Sequence, residues 1–270
     1  MKCPQAKPES AAPALSISAS STCFDGGLAV RKLPVTQVPL LAEPLVLLHG
    51  WGADSHIWEP VISGLNRIAD LWLLDLPGFG DSPACFNSNN QACDPDADDP
   101  LDDVLSQVLN IAPPQAVYLG WSLGGMLATA LAARCPHRVT GLITLASNIS
   151  FIARKNWPRA MPAKTFDGFY QGFCEAPLLT LKRFCGLQAQ GDGNERQVLK
   201  WLRHRLPGAS LTEVIADTWR PTLGLLAAID NSAAYNGLTI PGLHLLGEKD
   251  VLVPATAGRE LAARNQIPPR

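Results

Sequence analysis

The stretch Val-Tyr-Leu-Gly-Trp-Ser-Leu-Gly-Gly-Met at residues 117–126 constrains the fold more than any other part of the chain. An apolar, β-prone run leads into Gly120, and a helix-forming run begins at Met126, so the G-x-S-x-G pattern lies between a strand and a helix. The pattern is short and also arises by chance, but here both flanks fit. A Cβ at Gly120 or Gly124 would strike the neighbouring strand or helix. Ser122 is therefore predicted to be a nucleophile held on a strained turn.

The composition favours one large α/β domain with an inserted subdomain. The chain has 270 residues, of which 47% are hydrophobic and 17% charged, and its net charge is −2. Such a chain can bury a substantial core, and its charge attracts neither nucleic acid nor a membrane surface. No apolar run is long enough to cross a bilayer. We therefore expect no nucleic-acid partner and no membrane partner. A monomer is also expected.

The cysteines indicate a reducing compartment. Their number is seven and no C-x-x-C pattern occurs, so neither a disulfide framework nor a zinc site is predicted. The N-terminal residues lack the apolar core of a signal peptide. We expect a cytoplasmic protein without a cofactor or a metal ion.

Buried strands alternate with helices on both sides of residues 117–126. Residues 45–48 and 71–74 are continuous apolar runs, as a parallel strand covered on both faces requires, and further strands are expected at 141–146 and 238–246. The predicted fold is the α/β-hydrolase fold, with a mostly parallel central sheet and helices on both faces.

The predicted domains follow from where this alternation stops. A series of helical segments replaces it from about residue 150, and it reads as a cap laid over the site. Two of these segments are expected near 210–217 and 222–230. We expect a largely disordered N-terminal extension at 1–40, although residues 28–38 could supply edge strands. The core is assigned to 41–150 and 237–270, and the helical cap to 151–236.

The oxyanion hole is predicted from two backbone N–H groups. His49-Gly50-Trp51-Gly52 follows the strand at 45–48. In folds with a strand–turn–helix nucleophile elbow, here residues 120–124, that loop and the residue after the nucleophile each supply one N–H. Those N–H groups belong to Trp51 and Leu123. His49 could be a catalytic base, but its position favours a structural role that holds the loop. Asp75 also receives a structural role, because it precedes Ser122 whereas the acid follows the serine in this fold.

The acid is expected in the loop that follows the strand after the cap. Asp250 is the first choice and Glu248 the second. No histidine follows Asp250, and the last strand and helix of the fold are also expected to be missing. Two explanations stay open: the sequence is truncated or frameshifted, or its C-terminus has diverged and activity is weak or lost. All five histidines precede Asp250: His49, His56, His137, His204 and His244.

The cap carries a basic helix. Arg196, Lys200 and Arg203 recur at spacings that place them on one face. This face is either an ordinary solvated surface or a docking patch for an acidic partner.

The chain resembles the pimeloyl-[acyl-carrier protein] methyl ester esterases of biotin synthesis, from about residue 45 to 254. The segments that carry the resemblance are Leu-Val-Leu-Leu-His-Gly-Trp-Gly (45–52), Asp-Leu-Pro-Gly-Phe-Gly-Asp-Ser (75–82), Leu-Gly-Trp-Ser-Leu-Gly-Gly (119–125), Ala-Arg-Lys-Asn-Trp-Pro (153–158) and Arg-Phe-Cys-Gly-Leu-Gln (183–188). The resemblance implies that an acyl-carrier protein docks on Arg183, Arg196 and Lys200. It also implies a substrate site formed by Trp51, Ser122, Leu123, Phe184, Cys185, Gly186, Leu187 and Gln188.

The implied activity is that of a serine carboxylesterase acting on the methyl ester of a carrier-bound pimeloyl chain. Ser122 would attack the ester carbonyl, and a histidine oriented by Asp250 would move the proton. Two alternatives remain: another serine hydrolase for small esters or thioesters, and a hydrolase-fold binding protein that lacks its base.

Overall fold

The computed structural model describes residues 21–22, 27–84, 99–206 and 213–264, so most of the predicted N-terminal tail and acidic loop lie outside the described residues. The described strands form one sheet in the order β1-β2-β4-β3-β5-β6-β7. They are β1 Ser21–Thr22, β2 Val30–Leu33, β3 Leu45–Leu48, β4 Leu71–Leu74, β5 Ala116–Trp121, β6 Val139–Leu145 and β7 Gly242–Leu245.

The sheet brings the two predicted site loops to the same edge. β3 pairs in parallel with β4 and β5, β5 with β6, and β6 with β7. Leu48 at the end of β3 pairs with Gly120 near the end of β5, so the segments after both strands leave the sheet side by side. All four residues of β3 are buried, which explains its unbroken apolar sequence.

The N-terminal part of the sheet begins earlier than the predicted domain boundary. β2 pairs antiparallel with β4, and Leu28 and Val30 are buried. The N–H of Asp75 also donates to the carbonyl oxygen of Ala29 at 3.0 Å. Residues 28–33, which lie within the segment expected to be largely disordered, therefore contribute to the core. The expectation of a strand within 28–38 is confirmed, but β1 rather than β2 lies at the edge of the described sheet. The burial of a few apolar side chains against β4 outweighs the disorder-prone composition around them.

The described helices lie on both faces of the sheet and in the cap. A 3-10 turn at Ser55–Trp58 precedes α1, and none of these helices is both long and apolar enough to span a membrane. They are α1 Glu59–Leu65, α2 Pro100–Ile111, α3 Leu123–Arg134, α4 Ala163–Glu175, α5 Pro177–Ala189, α6 Glu195–His204, α7 Glu213–Ala228, α8 Ser232–Tyr235 and α9 Ala255–Arg264.

The cap consists of α4 to α7, and α7 differs from the prediction. The sequence suggested separate helices near 210–217 and 222–230, but Pro221 lies inside one continuous helix. Trp219, Leu223 and Leu226 of this helix are buried. The burial of this apolar face offsets the cost of an interior proline, about 3 kcal/mol.

The two faces of β7 have different surroundings. His244 is half-buried, and its Nδ1 lies 2.7 Å from Thr144 Oγ1 and its Nε2 2.7 Å from the hydroxyl of Tyr235. Leu243 and Leu245 point to the opposite face and remain 52% and 45% exposed. They line an apolar groove of about 980 Å³ that also reaches Trp121 and Asp250.

Candidate active site

Ser122 occupies the strained turn that the sequence predicts. It joins β5 to α3 with φ 52° and ψ −116°, a backbone conformation that residues other than glycine rarely adopt. A Cβ on Gly120 would lie 2.3 Å from the carbonyl carbon of Gly124 and 2.3 Å from the nitrogen of Gly125. The glycine at 120 therefore permits the first turn of α3 to fold back on the strand.

Hydrogen bonds hold both sides of the Ser122 backbone. Its N–H donates to the carbonyl oxygen of Leu145 at 3.0 Å. Its carbonyl oxygen accepts from the N–H of Gly125 at 3.0 Å and from the hydroxyl of Ser147 at 2.7 Å. These contacts fix the orientation of the peptide between Ser122 and Leu123.

His49 holds the neighbouring loop and does not face the nucleophile. Its Nε2 accepts from the N–H of Leu76 at 2.8 Å, which assigns the proton to Nδ1, and Nδ1 donates to the carbonyl oxygen of Gly50 at 2.8 Å. Complete burial lowers the pKa of His49 below its ordinary value, so the neutral ring is favoured. This geometry matches the structural role that the sequence predicts.

Asp75 is also part of the scaffold. Its carboxylate accepts from the N–H of Ser55 at 2.7 Å and from the N–H of Asp81 at 3.0 Å. A Cβ on Gly80 would lie 2.2 Å from this carboxylate, which explains the glycine in the turn. Asp75 therefore ties together two loops, in agreement with the prediction.

Two backbone N–H groups near Ser122 are the candidates for an oxyanion hole. Within the described residues, hydrogen-bond acceptors are absent for the N–H groups of Leu123 and Trp51. Leu123 begins α3, whose N-terminus adds a positive partial charge. The loop of Trp51 touches the elbow, because a Cβ on Gly50 would lie 3.2 Å from the Cβ of Ser122. Their role in binding an oxyanion stays a prediction.

The side chain of Trp51 connects this loop to the cap. Its indole N–H donates to the carbonyl oxygen of Trp219 at 3.2 Å. Its ring meets those of Phe173 and Phe184 edge to face, with centroids 5.1 Å and 5.8 Å apart. The sequence analysis singled out Trp51 but gave no role to Trp219, since nothing local marks a cap tryptophan as a partner of the loop.

A cavity of about 350 Å³ lies under the cap beside Trp121, whereas Ser122, Leu123 and Trp51 are not among the residues that line it. Its wall includes Trp121, next to the nucleophile, together with Leu181 and Trp219. The predicted substrate segment at 184–188 lies on α5 and faces two surfaces. Phe184, Cys185 and Gln188 line the cavity. Leu187 lines the groove beside β7, and Gln188 borders that groove as well. A Cβ on Gly186 would meet nothing within 4 Å. Burial raises the pKa of the Cys185 thiol, which favours its neutral form.

The predicted acid lies in a hydrogen-bonded turn. Asp250 Oδ1 accepts from the N–H groups of Leu252 at 2.8 Å and Val253 at 2.9 Å, and Asp250 borders the same groove as Trp121. Glu248, the second choice, is exposed. Within the described residues, hydrogen bonds between Asp250 and Ser122 or any histidine are absent. Its catalytic role stays a prediction.

The histidines occupy separate positions. His56 is exposed and lies beside Asp54, and His137 and His204 are exposed on a loop and on α6. His49 and His244 are engaged in the contacts described above. Among the described residues, hydrogen bonds from a histidine to Ser122 are absent.

The cap basics are exposed. Arg183 on α5 and Arg196 and Lys200 on α6 all face solvent, and no carboxylate of the described residues forms an ion pair with them. Arg205, just after α6, pairs instead with Glu59 on α1 and borders the cavity. The three exposed cations are available to an acidic surface.

Comparison with protein families and with relatives of known sequence gives a consistent assignment. The family described as alpha/beta hydrolase fold matches residues 43–269. A pimeloyl-[acyl-carrier protein] methyl ester esterase of Sodalis glossinidius is 37% identical over 212 residues, which cover 78% of this chain and 76% of that protein. The esterase of the same name from Vibrio parahaemolyticus is 35% identical, with 83% and 82% covered.

Longer relatives also match. The biotin biosynthesis bifunctional protein BioHC of Cellvibrio japonicus is 44% identical over 221 residues, covering 82% of this chain and 41% of that protein. The chain thus spans about two fifths of the length of such bifunctional relatives.

Solved structures share the fold. An esterase from Exiguobacterium antarcticum has a TM-score of 0.69 and 18% identity, covering 88% of this chain and 84% of its own. An enol-lactonase from Burkholderia xenovorans has a TM-score of 0.67 and 18% identity, covering 88% and 85%.

Proposed function

The chain belongs to the α/β-hydrolase fold family and, within it, to the family of the pimeloyl-[acyl-carrier protein] methyl ester esterases, and from this premise we propose its activity. It is a serine carboxylesterase that hydrolyses the methyl ester of a pimeloyl chain borne by an acyl-carrier protein, a step of biotin biosynthesis. We also predict that the enzyme is cytoplasmic and monomeric.

The elbow carries this proposal. Ser122 holds φ 52° at the N-terminus of α3, beside the backbone N–H groups of Leu123 and Trp51. Preorganised donors of this kind stabilise the negative charge that develops on an ester carbonyl oxygen under attack. The arrangement suits acyl transfer through a covalent serine ester.

The reaction proceeds in two steps, acylation of Ser122 and hydrolysis of the acyl-enzyme. Ser122 Oγ bonds to the ester carbonyl carbon, the bond to the methoxy oxygen breaks, and the serine proton leaves with methanol. Water then attacks the acyl carbon, and the bond to Ser122 Oγ breaks. One proton of the water returns to Ser122 Oγ and the other is released to solvent, which leaves the free carboxylate of the pimeloyl chain. A general base has to move these protons, and Asp250 is the carboxylate proposed to orient it.

The cavity supports an acyl substrate. Its volume of about 350 Å³ and its wall of Leu181, Phe184 and Trp219 suit a flexible aliphatic chain. The exposed cations Arg183, Arg196 and Lys200 are proposed to meet the acidic carrier protein. The substrate chain would then run from the carrier through the cavity to Ser122.

The experiment uses imidazole as an external base, because hydrogen bonds from a histidine to Ser122 are absent among the described residues. We expect the purified chain to release methanol from the carrier-bound methyl ester at a rate that rises with imidazole concentration. A fluorophosphonate should label Ser122, and Ser122→Ala should abolish both signals. The proposal fails if imidazole gives no Ser122-dependent hydrolysis. It also fails if the free dimethyl ester of pimelate is hydrolysed at the same rate as the carrier-bound ester.

A further inference from the structure

We propose that Ser147 is a positioning residue of the oxyanion hole, acting through the peptide between Ser122 and Leu123. This inference rests on the proposed function, since it concerns how the same site stabilises its oxyanion. The carbonyl oxygen and the N–H of that peptide lie at opposite ends of one rigid plane. The hydroxyl of Ser147 donates to the carbonyl end at 2.7 Å, and the N–H end belongs to Leu123.

The backbone around Ser147 is arranged to deliver this hydroxyl. Among the described residues other than glycine, a positive φ occurs at Ser122 and at Ala146, with φ 44° at Ala146. Ala146 directly precedes Ser147, and Ser147 is 3% exposed. Strained backbone conformations persist only where the surrounding structure holds them, and they are common at functional sites. The strain at Ala146 turns the chain after β6 back toward the elbow.

The helix side also leaves room for the contact. A Cβ on Gly125 would lie 2.5 Å from Ser147 Oγ, so only a glycine at 125 permits this approach. The glycine at 125 therefore leaves room for Ser147 and for the carbonyl oxygen of Gly120, which a Cβ would approach to 2.9 Å, whereas Gly124 leaves room for β3. Two separate features of the chain, a strained alanine and an obligatory glycine, converge on one hydrogen bond.

The hydrogen bond affects the oxyanion donor in two ways. Together with the N–H groups of Gly125 and Met126, which donate to the same carbonyl oxygen at 3.0 Å and 3.2 Å, it restrains the rotation of the peptide plane and so the direction of the Leu123 N–H. It also polarises the peptide, because a carbonyl that accepts a hydrogen bond makes the N–H of the same unit a stronger donor. The other predicted oxyanion donor, the N–H of Trp51, is arranged in the same way. It belongs to the peptide between Gly50 and Trp51, and the carbonyl oxygen of that peptide accepts a hydrogen bond from His49 Nδ1.

The first measurement is kinetic, with Ser147→Ala in the full chain and imidazole at a fixed concentration. Deletion of an oxyanion donor costs about 10²- to 10³-fold in kcat, and the loss of its polarising partner should cost a part of this, about tenfold. KM should change by less than about twofold, because the ground-state carbonyl carries little charge.

The matched control is Thr129→Val. The hydroxyl of Thr129 is also buried in α3 and donates to the carbonyl oxygen of Gly125 at 2.8 Å, but that peptide supplies no oxyanion donor. Its removal should lower stability as much as Ser147→Ala while kcat stays within about twofold of the wild type.

The second measurement does not need activity. The measurement is nuclear magnetic resonance, with ¹³C in serine carbonyl carbons and ¹⁵N in leucine nitrogens. This labelling selects the two Ser–Leu peptide bonds of the sequence, Ser122–Leu123 and Ser210–Leu211. The Leu123 amide proton should move upfield in Ser147→Ala, with the second resonance as reference. An unmoved Leu123 resonance, or a kcat equal to that of Thr129→Val, overturns the inference. If the wild type hydrolyses no ester, the proposed function fails, and the Leu123 resonance alone still decides the hydrogen bond.

Discussion

A Cβ on Gly124 would lie 2.1 Å from the carbonyl oxygen of Leu48. Leu48 ends β3, and Gly124 lies in the first turn of α3, so the nucleophile helix packs with bare backbone on the strand that leads to Trp51. This contact sets how closely the N–H groups of Leu123 and Trp51 approach each other. The geometry of the predicted oxyanion hole thus depends on a glycine at position 124, in addition to the glycines described above.

Gly124→Ala should therefore destabilise the fold and impair the site. The added methyl overlaps backbone atoms, which cannot rotate away, so α3 has to shift from β3. We expect the free energy of unfolding to fall by about 3 kcal/mol, measured by urea unfolding, and Ser122 labelling by a fluorophosphonate to slow.

The control for this change is Gly168→Ala in α4, where a Cβ would meet nothing within 4 Å. Alanine is favoured over glycine inside a helix, so this variant should gain about 0.5 to 1 kcal/mol. Equal stability of the two variants would show that the contact between Gly124 and Leu48 tolerates a methyl group.

The sequence predicted the parts of the site that local rules determine. The glycines around Ser122 and the apolar run of β3 follow from steric and burial requirements that are visible in a short window. The structural role of His49 also followed from its place in the loop, and its hydrogen bonds agree with that role.

Long-range contacts could not be predicted in the same way. Ser147 reaches Ser122 because β6 lies beside β5 and the chain turns at Ala146, and neither fact is local to Ser147. Leu187 and Gln188 are neighbours in sequence, but only Gln188 lines the cavity, because the packing of α5 decides which side faces inward. The strand β2 gains its stability from β4 rather than from its own composition.

The stability of the protein should fall in mild acid because of its buried histidines. Burial lowers the pKa of His49 and of His244 below the ordinary value of 6.5. Below about pH 6.5 the unfolded chain therefore binds protons that the folded chain does not. The free energy of unfolding should decrease as the pH falls from 6.5 toward the folded pKa values, by at most about 1.4 kcal/mol per pH unit for each histidine.

Urea unfolding of His244→Gln between pH 5 and pH 8 tests this assignment. Glutamine can still form hydrogen bonds with Thr144 and Tyr235 but does not titrate. The free energy of unfolding should therefore depend less steeply on pH, by the contribution that His244 makes in the wild type. His137→Gln, on an exposed loop, is the control and should keep the wild-type slope. A slope that His244→Gln leaves unchanged would contradict a titrating role for this side chain.

The length of the acyl chain that the enzyme accepts should depend on Gln188. Gln188→Trp places a large ring in the wall of the cavity of about 350 Å³. With imidazole present, kcat/KM for a pimelate methyl ester should fall at least about tenfold relative to that for an acetate ester, since a pocket that has lost room discriminates by chain length. Leu187→Trp is the matched control, because Leu187 faces the groove beside β7. An equal loss in both variants would place the acyl chain outside this cavity.

The proposed carrier docking should depend on the exposed cations of α6. Arg196 and Lys200 have no ion-pair partner among the described residues, so their charges are open to an acidic surface. In Arg196→Glu/Lys200→Glu, KM for the carrier-bound ester should rise about tenfold, because like charges now meet, and the slowing of the wild-type reaction by salt should disappear. Hydrolysis of the free dimethyl ester should not change. The control variant Lys155→Glu/Lys164→Glu carries the same total charge and alters two exposed residues outside α5 and α6, one before α4 and one in it. If both variants raise KM equally, net charge rather than this face guides the carrier, and the docking site is disproved.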